Sequence, residues 1–209
     1  MWIHESFGAY AEGLFVEDRF GREDALTYIN GKKQNVRNDR PIVGVYNVQN
    51  EGSSDMYDKG QLVLNTLRSV IDNDKLWFSI LRGLQETYRC QTITYDTIVQ
   101  YVNRRTGTNL SYFFDQYLKQ TKPPRLEIIT RKKGDKTTAR YRWAADVSDF
   151  HMPIKVTTSR NNFEWIKPTK EWQTMAVRLD RPDEFRIADE LFYVDFKLKY
   201  GYLDPRLPE

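Results

Sequence analysis

The sequence changes its period at Pro123-Pro124. A proline has no amide hydrogen to give to a helix and pushes the residue before it out of helical conformation, so no regular helix runs through a proline pair. On the N-terminal side of the pair apolar residues recur every three or four positions, and on the C-terminal side they alternate. Those two periods call for different structures. Together they predict an α+β, multidomain chain: a helical domain over 1–122 and a strand-built domain over 123–209.

Upstream of the break, Ile3, Phe7, Tyr10, Ala11 and Leu14 make one helical stripe, and Met56, Gly60, Val63, Leu67 and Ile71 a second. Three more follow. Trp77, Ile80, Leu81, Leu84 and Tyr88 mark the first; Tyr95, Ile98, Val99 and Val102 the next, with Thr94 as its cap. Leu110, Phe113, Phe114, Tyr117 and Leu118 mark the last, with Asn109 as cap and Gly107 as the break before it. Downstream, the runs 126–130, 138–143, 154–158, 163–166, 174–179 and 193–198 are alternating or rich in β-branched and aromatic residues. Short strands in succession, with turn residues and no helix between them, predict an antiparallel β-sandwich.

Other classes are excluded by charge and composition. A chain of 209 residues with 40% hydrophobic and 29% charged side chains can bury one core or two small ones. Its net charge of +3 is small, and the densest basic cluster, Arg131-Lys132-Lys133 before Gly134-Asp135, reads as a solvated hairpin tip. No nucleic-acid partner is expected. No apolar run reaches the length of a membrane span, and the residues after Met1 lack the basic start and apolar stretch of a signal peptide. The compartment is therefore unassigned. Cys90 has no partner for an internal disulfide and reads as a buried small hydrophobe, and His151 as a surface or loop residue.

Two segments carry candidate chemistry. On a helical wheel Glu5 and Glu12 lie opposite the Ile3-Phe7-Leu14 stripe, among Trp2, Gly8, Ala9, Gly13, Phe15 and Val16. The helix thus reads as enclosed on both sides, and an enclosed carboxylate needs a cation, either a basic side chain or a metal. In the second segment, Ser53-Ser54-Asp55-Met56-Tyr57-Asp58-Lys59-Gly60 has the capping residues of a helix start and puts Tyr57 in the first turn. Tyr57 is there either to pack against neighbouring helices or to act, and Lys59 reads as solvent-facing or structural.

Trp2-Ile3-His4-Glu5-Ser6-Phe7-Gly8-Ala9-Tyr10 resembles the segment written W-L-N-E-G-F-A-x-Y in gluzincin zinc metallopeptidases of the aminopeptidase N type, and Tyr57-x-Lys59-Gly60 is similar to their Y-x-K-G segment. The resemblance implies the helical half of a thermolysin-like catalytic domain followed by a β-sandwich, the junction falling between Phe113-Phe114-Asp115-Gln116-Tyr117-Leu118 and Pro124-Arg125-Leu126-Glu127-Ile128. It implies zinc as the metal, with Glu5 as its third protein ligand roughly eighteen residues after an H-E-x-x-H helix. It also implies a catalytic Tyr57 that donates a hydrogen bond to the oxyanion of the tetrahedral intermediate. His4 replaces the usual Asn and is not expected to share a metal with Glu5, because helix neighbours point about 100° apart.

The sequence has no H-E-x-x-H and no G-x-M-E-N, the strand by which that family recognises a free amine. His4-Glu5-Ser6-Phe7-Gly8 begins like the former but has Gly8 where the second histidine would stand. This chain is therefore expected to be the C-terminal portion of a zinc aminopeptidase, inactive and zinc-free by itself. Its partners would be a peptide substrate and the N-terminal half of the same protein, with dimerisation through an uncovered helical face as another way to hide that face. The alternative is a non-catalytic protein- or peptide-binding module of the same descent.

Overall fold

The computed structural model describes residues 1–45, 48, 52–160 and 162–203. The helical residues form α1 (Trp2–Phe20), α2 (Arg22–Gly31), a 3-10 turn (Lys32–Asn35), α3 (Asp55–Ile71), α4 (Asp74–Thr87), α5 (Tyr95–Thr106) and α6 (Ser111–Phe114), which runs on as a π-helical turn (Asp115–Lys119). These elements belong to one unit, Met1–Lys122 with Glu190–Tyr193; Pro123–Asp189 with Val194–Glu209 forms the other. The short Glu190–Tyr193 segment is drawn from the strand region yet joins the helices, which a boundary based on periodicity does not separate. There the Tyr193 amide donates to Thr66 Oγ1 at 2.8 Å, and the Tyr193 carbonyl accepts from the Tyr117 hydroxyl at 2.7 Å.

Helix α3 is the axis of the helical unit, since every residue from Lys59 to Arg68 is buried. A helix buried on all sides must find partners for its polar groups. Gln61 Nε2 donates to the Ala9 carbonyl at 2.6 Å, Asn65 Oδ1 accepts from Arg22 at 3.0 Å, and Thr66 Oγ1 donates to the Leu62 carbonyl one turn back at 2.9 Å. Arg68, 3% exposed, donates to both carboxylate oxygens of Glu17 on α1 and to both of Asp74 at the start of α4.

The face that α1 buries is not the apolar stripe. Its buried residues are Trp2, Ser6, Tyr10 and Gly13; Ile3, Phe7 and Leu14 are half-buried, and Ala11 is exposed. Size decides this, because the small Ser6 and Gly13 let α1 lie close against α3 and α2. A Cβ added at Gly60 would overlap Ser6 Oγ and stand 2.6 Å from Ser6 Cβ. A Cβ at Gly13 would stand 2.8 Å from Ile29 Cδ1 and 3.2 Å from Gln61 Nε2. Helix α2, which has no strong apolar period, is held by this second contact and by its fully buried Ala25 and Ile29. At α5, Thr94 caps the helix with a reciprocal Thr97 bond, whereas at α6 the N-cap position falls to Leu110 rather than the expected Asn109, whose Oδ1 accepts from the Ser111 amide at 3.0 Å.

In the second unit β1 (Arg125–Lys133), β2 (Lys136–Ala144), β5 (Gln173–Val177) and β6 (Asp195–Leu203) form one sheet in the order β5-β2-β1-β6, and β3 (Ile154–Ser159) pairs with β4 (Asn162–Ile166) in a hairpin. The β1–β2 turn at Gly134-Asp135 uses Gly134 at φ 58°, a conformation open to glycine. The expectation of an all-antiparallel arrangement fails at β6, which runs parallel to β1. The connection through β2 to β5 is long enough to return the chain to the end where β1 starts, and local sequence carries no signal for that choice. Inside, Leu126, Ile128, Trp143, Phe150, Ile154 and Val156 are at most 1% exposed, and Trp143 Nε1 donates to the Met152 carbonyl at 2.9 Å.

Gly60→Ala is expected to destabilise the chain by about 1–3 kcal/mol, as overpacking of a close helix contact does. Urea unfolding followed by circular dichroism measures this, and an unchanged midpoint would show that α1 and α3 give way without cost.

Candidate functional site

The contact between α1 and α3 sets the geometry of the candidate residues. Ser6 Oγ donates to the Met56 carbonyl at 2.7 Å. Glu5 precedes Ser6 and Tyr57 follows Met56, so the two candidates stand on neighbouring turns of two helices in direct contact. Glu5 is half-buried, in the first turn of α1, and forms no ion pair among the described residues. The prediction that its helix is enclosed on both sides is therefore overturned, as Gly8 and Glu12 are exposed and Phe15 is 60% exposed. Glu12, its neighbour on the wheel, instead accepts from the Tyr28 hydroxyl at 2.6 Å. Tyr57 lies in the first turn of α3 with 43% of its surface exposed.

Beneath that turn lies a charged cluster. The Asp55 carboxylate, 2% exposed, accepts from the backbone amides of Arg37 at 2.9 Å and Asn38 at 2.7 Å. Ser53 Oγ donates to Asp39 at 2.7 Å and accepts from the Asp55 amide at 3.2 Å. One turn further on, Lys59 is fully buried and its Nζ donates to the carbonyls of Thr121 at 2.6 Å and Gln120 at 3.3 Å. Of the two sequence readings of Lys59, solvent-facing is wrong and structural is right. Burial pushes its ammonium down to about 8, against the opposing pull of the Asp55 and Asp39 carboxylates. The opposite charges of Asp55 and Lys59 at i and i+4 are the signal that could have revealed this cluster in the sequence.

The remaining candidates lie elsewhere. His4 is exposed, and His151 is exposed with Nδ1 2.5 Å from the Asp149 carbonyl oxygen. Cys90 is exposed rather than buried: it follows α4 in a left-handed conformation, φ 59°, which turns it outward. It borders an open apolar groove of about 570 Å³ between α1 and α4, lined by Ile3, Phe7, Leu14, Leu81 and Tyr88. Among the described residues no three His, Cys, Asp or Glu side chains come together as a metal-binding group, so this chain's donors alone do not fit a zinc ion. No described helix is long and apolar enough to cross a membrane.

No protein-family profile matches the sequence, and neither does any curated protein. Among solved structures, the chain is similar to Legionella pneumophila aminopeptidase A, crystallised in complex with aspartic acid, with a TM-score of 0.74 at 12% identity. The chain therefore shares the fold of the matching part of that enzyme. The likeness covers 96% of this chain but 24% of the Legionella enzyme, so the chain spans about a quarter of the protein it matches.

The buried lysine has a consequence for stability. In the unfolded chain Lys59 keeps its proton up to the ordinary value of 10.5, whereas in the folded chain it loses it from about pH 8. Between those values the unfolded state holds more protons, so this group's contribution to stability rises with pH. The unfolding free energy of the chain, minus that of Lys59→Met, is expected to increase from pH 7.5 to 10 in urea titrations. A difference that stays flat would contradict the depressed lysine.

Proposed function

We propose that this chain is the C-terminal portion of a zinc aminopeptidase of the aminopeptidase N type, one that removes N-terminal residues from peptides, and that Glu5 and Tyr57 are its contributions to the active site. One observation carries the reading: the Ser6 bond to the Met56 carbonyl joins the two turns that hold the two candidates. The shared fold supports it over nearly the whole chain. In this reading the strand-built unit is the β-sandwich that follows the catalytic domain, and 1–122 is the helical half of a thermolysin-like domain.

Glu5 would hold the zinc together with two histidines from sequence outside this chain, since its own donors do not complete a site. A zinc ion held this way supplies an activated water and polarises the scissile carbonyl. Tyr57 would donate a hydrogen bond to the oxyanion of the tetrahedral intermediate; a phenol is neutral at ordinary pH and its hydrogen can be aimed at the developing charge. The Asp55–Lys59 cluster anchors the turn from which Tyr57 projects. The open groove along Ile3, Phe7 and Leu14 is the surface we assign to the segment that completes the domain or, failing that, to a second copy.

That same groove favours a second reading, a non-catalytic module in which an apolar peptide occupies it. The two readings separate in a longer polypeptide that contains this chain. There Tyr57→Phe is expected to lower kcat on an aminoacyl anilide about 100- to 1,000-fold with zinc content unchanged, and Glu5→Gln to lose the zinc. Full activity in both variants would remove these residues from the mechanism, and tight binding of an apolar peptide with no hydrolysis would establish the module.

A further inference from the structure

We propose that two copies of this chain pair edge to edge through β6, in an antiparallel register centred on Phe196. β6 ends the sheet order β5-β2-β1-β6, and among the described residues no backbone hydrogen bond reaches its far side. The other end of the sheet is partly covered, because the Arg178 amide just past β5 donates to the Thr158 carbonyl of β3 at 2.6 Å. A nine-residue edge strand with open amides and carbonyls is a template for another strand.

The apolar face of β6 is equally unfinished. Phe196 and Leu198 are registered beside Leu126 and Ile128 of β1 and share their face of the sheet. Leu126 and Ile128 are fully buried, whereas Phe196 is 49% exposed and Tyr200, on the same face, 59%. The apolar layer of the strand-built unit therefore runs out to the edge and is left uncovered there. A neighbouring strand that carries the same layer onward would cover it.

Backbone phase and charge choose the occupant and its register. The Asp195 amide donates inward, to the Pro124 carbonyl at 3.0 Å. Backbone groups alternate in direction along a strand, so Phe196 and Leu198 turn theirs to the open edge, and an antiparallel copy must bond to them there. Centred on Phe196, the two copies exchange both Phe196 backbone bonds, and Val194 stands opposite Leu198. Asp195 then stands opposite Lys197 twice over, in the closer-spaced pairs of the ladder, where opposite charges stabilise a sheet. Within the chain Asp195 lies 3.6 Å from Arg125, and Lys197 is registered beside Glu127, which accepts from Arg142 at 2.8 Å. Those contacts stay in place, since a carboxylate accepts and an ammonium donates more than one bond. Centring the pair on Lys197 would face Asp195 with Lys199 but set Lys197 against its own copy; centring it on Leu198 would set Lys197 against Lys199. Two-fold pairing uses up the edge, so assembly stops at two copies.

The test is sedimentation equilibrium of the whole chain at about 100 µM, a concentration suited to a small interface. The unaltered chain is expected to dimerise reversibly. Asp195→Lys and Lys197→Asp are each expected to weaken the dimer at least tenfold, with the melting temperature almost unchanged, since exposed ion pairs contribute little. Mixing the two variants, or combining both substitutions in one chain, is expected to restore pairing, because each position again faces its opposite charge. Phe196→Lys sets two ammonium groups at the axis and is expected to give a monomer; it reads the same contact should a charge variant fail to fold. A monomeric unaltered chain, a dimer that survives Phe196→Lys, as one through the helical groove would, or a mixture that stays monomeric would overturn the proposal. Stronger rescue of Asp195→Lys by Lys199→Asp than by Lys197→Asp would overturn the register.

Discussion

The absence of a side chain at Gly60 is what the helical unit is built around. Because nothing projects there, Ser6 of α1 comes to rest on α3, and its hydroxyl bonds to the Met56 carbonyl at 2.7 Å. Van der Waals contact at that range is available only between small residues, and it fixes the rotation of both helices. The positions of Glu5 and Tyr57 follow from it, as does the half-covered state of Ile3, Phe7 and Leu14, which the rotation leaves along the open groove.

Charge secures the far end of the same pair of helices. Burial works against the guanidinium of Arg68, but hydrogen bonds to Asp74 and Glu17 outweigh it and hold it above its ordinary range. The carboxylate of Glu17 is likewise held below its ordinary range, because Arg68 and Arg22 more than offset its burial. At the near end burial of Lys59 is only partly offset by the Asp55 and Asp39 carboxylates; its bonds go to carbonyls, which are weaker partners for a cation than a carboxylate. One end of α3 is therefore locked by ion pairs at any ordinary pH, and the other responds to pH in the alkaline range.

Secondary structure was legible wherever a single local rule acts. Thr94 caps α5, the proline pair ends the helices, and the six strand runs lie at β1 to β6 because alternation along a half-buried strand is local. What a helix packs against is not local. The α1 wheel assigned its inner face by apolarity, whereas the observed face was chosen by the size of Ser6 and Gly13. The burial of Lys59, the outward turn of Cys90 and the parallel pairing of β6 depend likewise on segments distant in sequence or on one unusual backbone angle. Of the candidate site, the helices and turns that carry Glu5 and Tyr57 could be read from the sequence; of the cluster beneath them only the i, i+4 charges of Asp55 and Lys59 could, since its partners at 37–38 and 120–121 have no motif.

In the proposed function Glu5 belongs to a zinc site whose histidines lie earlier in the same polypeptide. Reading the coding DNA upstream of Met1 in frame tests it most directly. H-E-x-x-H is expected roughly eighteen residues before Glu5, with G-x-M-E-N further upstream. An in-frame stop codon just before Met1, with a ribosome-binding site beside it, would remove Glu5 from any such zinc site and leave the peptide-binding module.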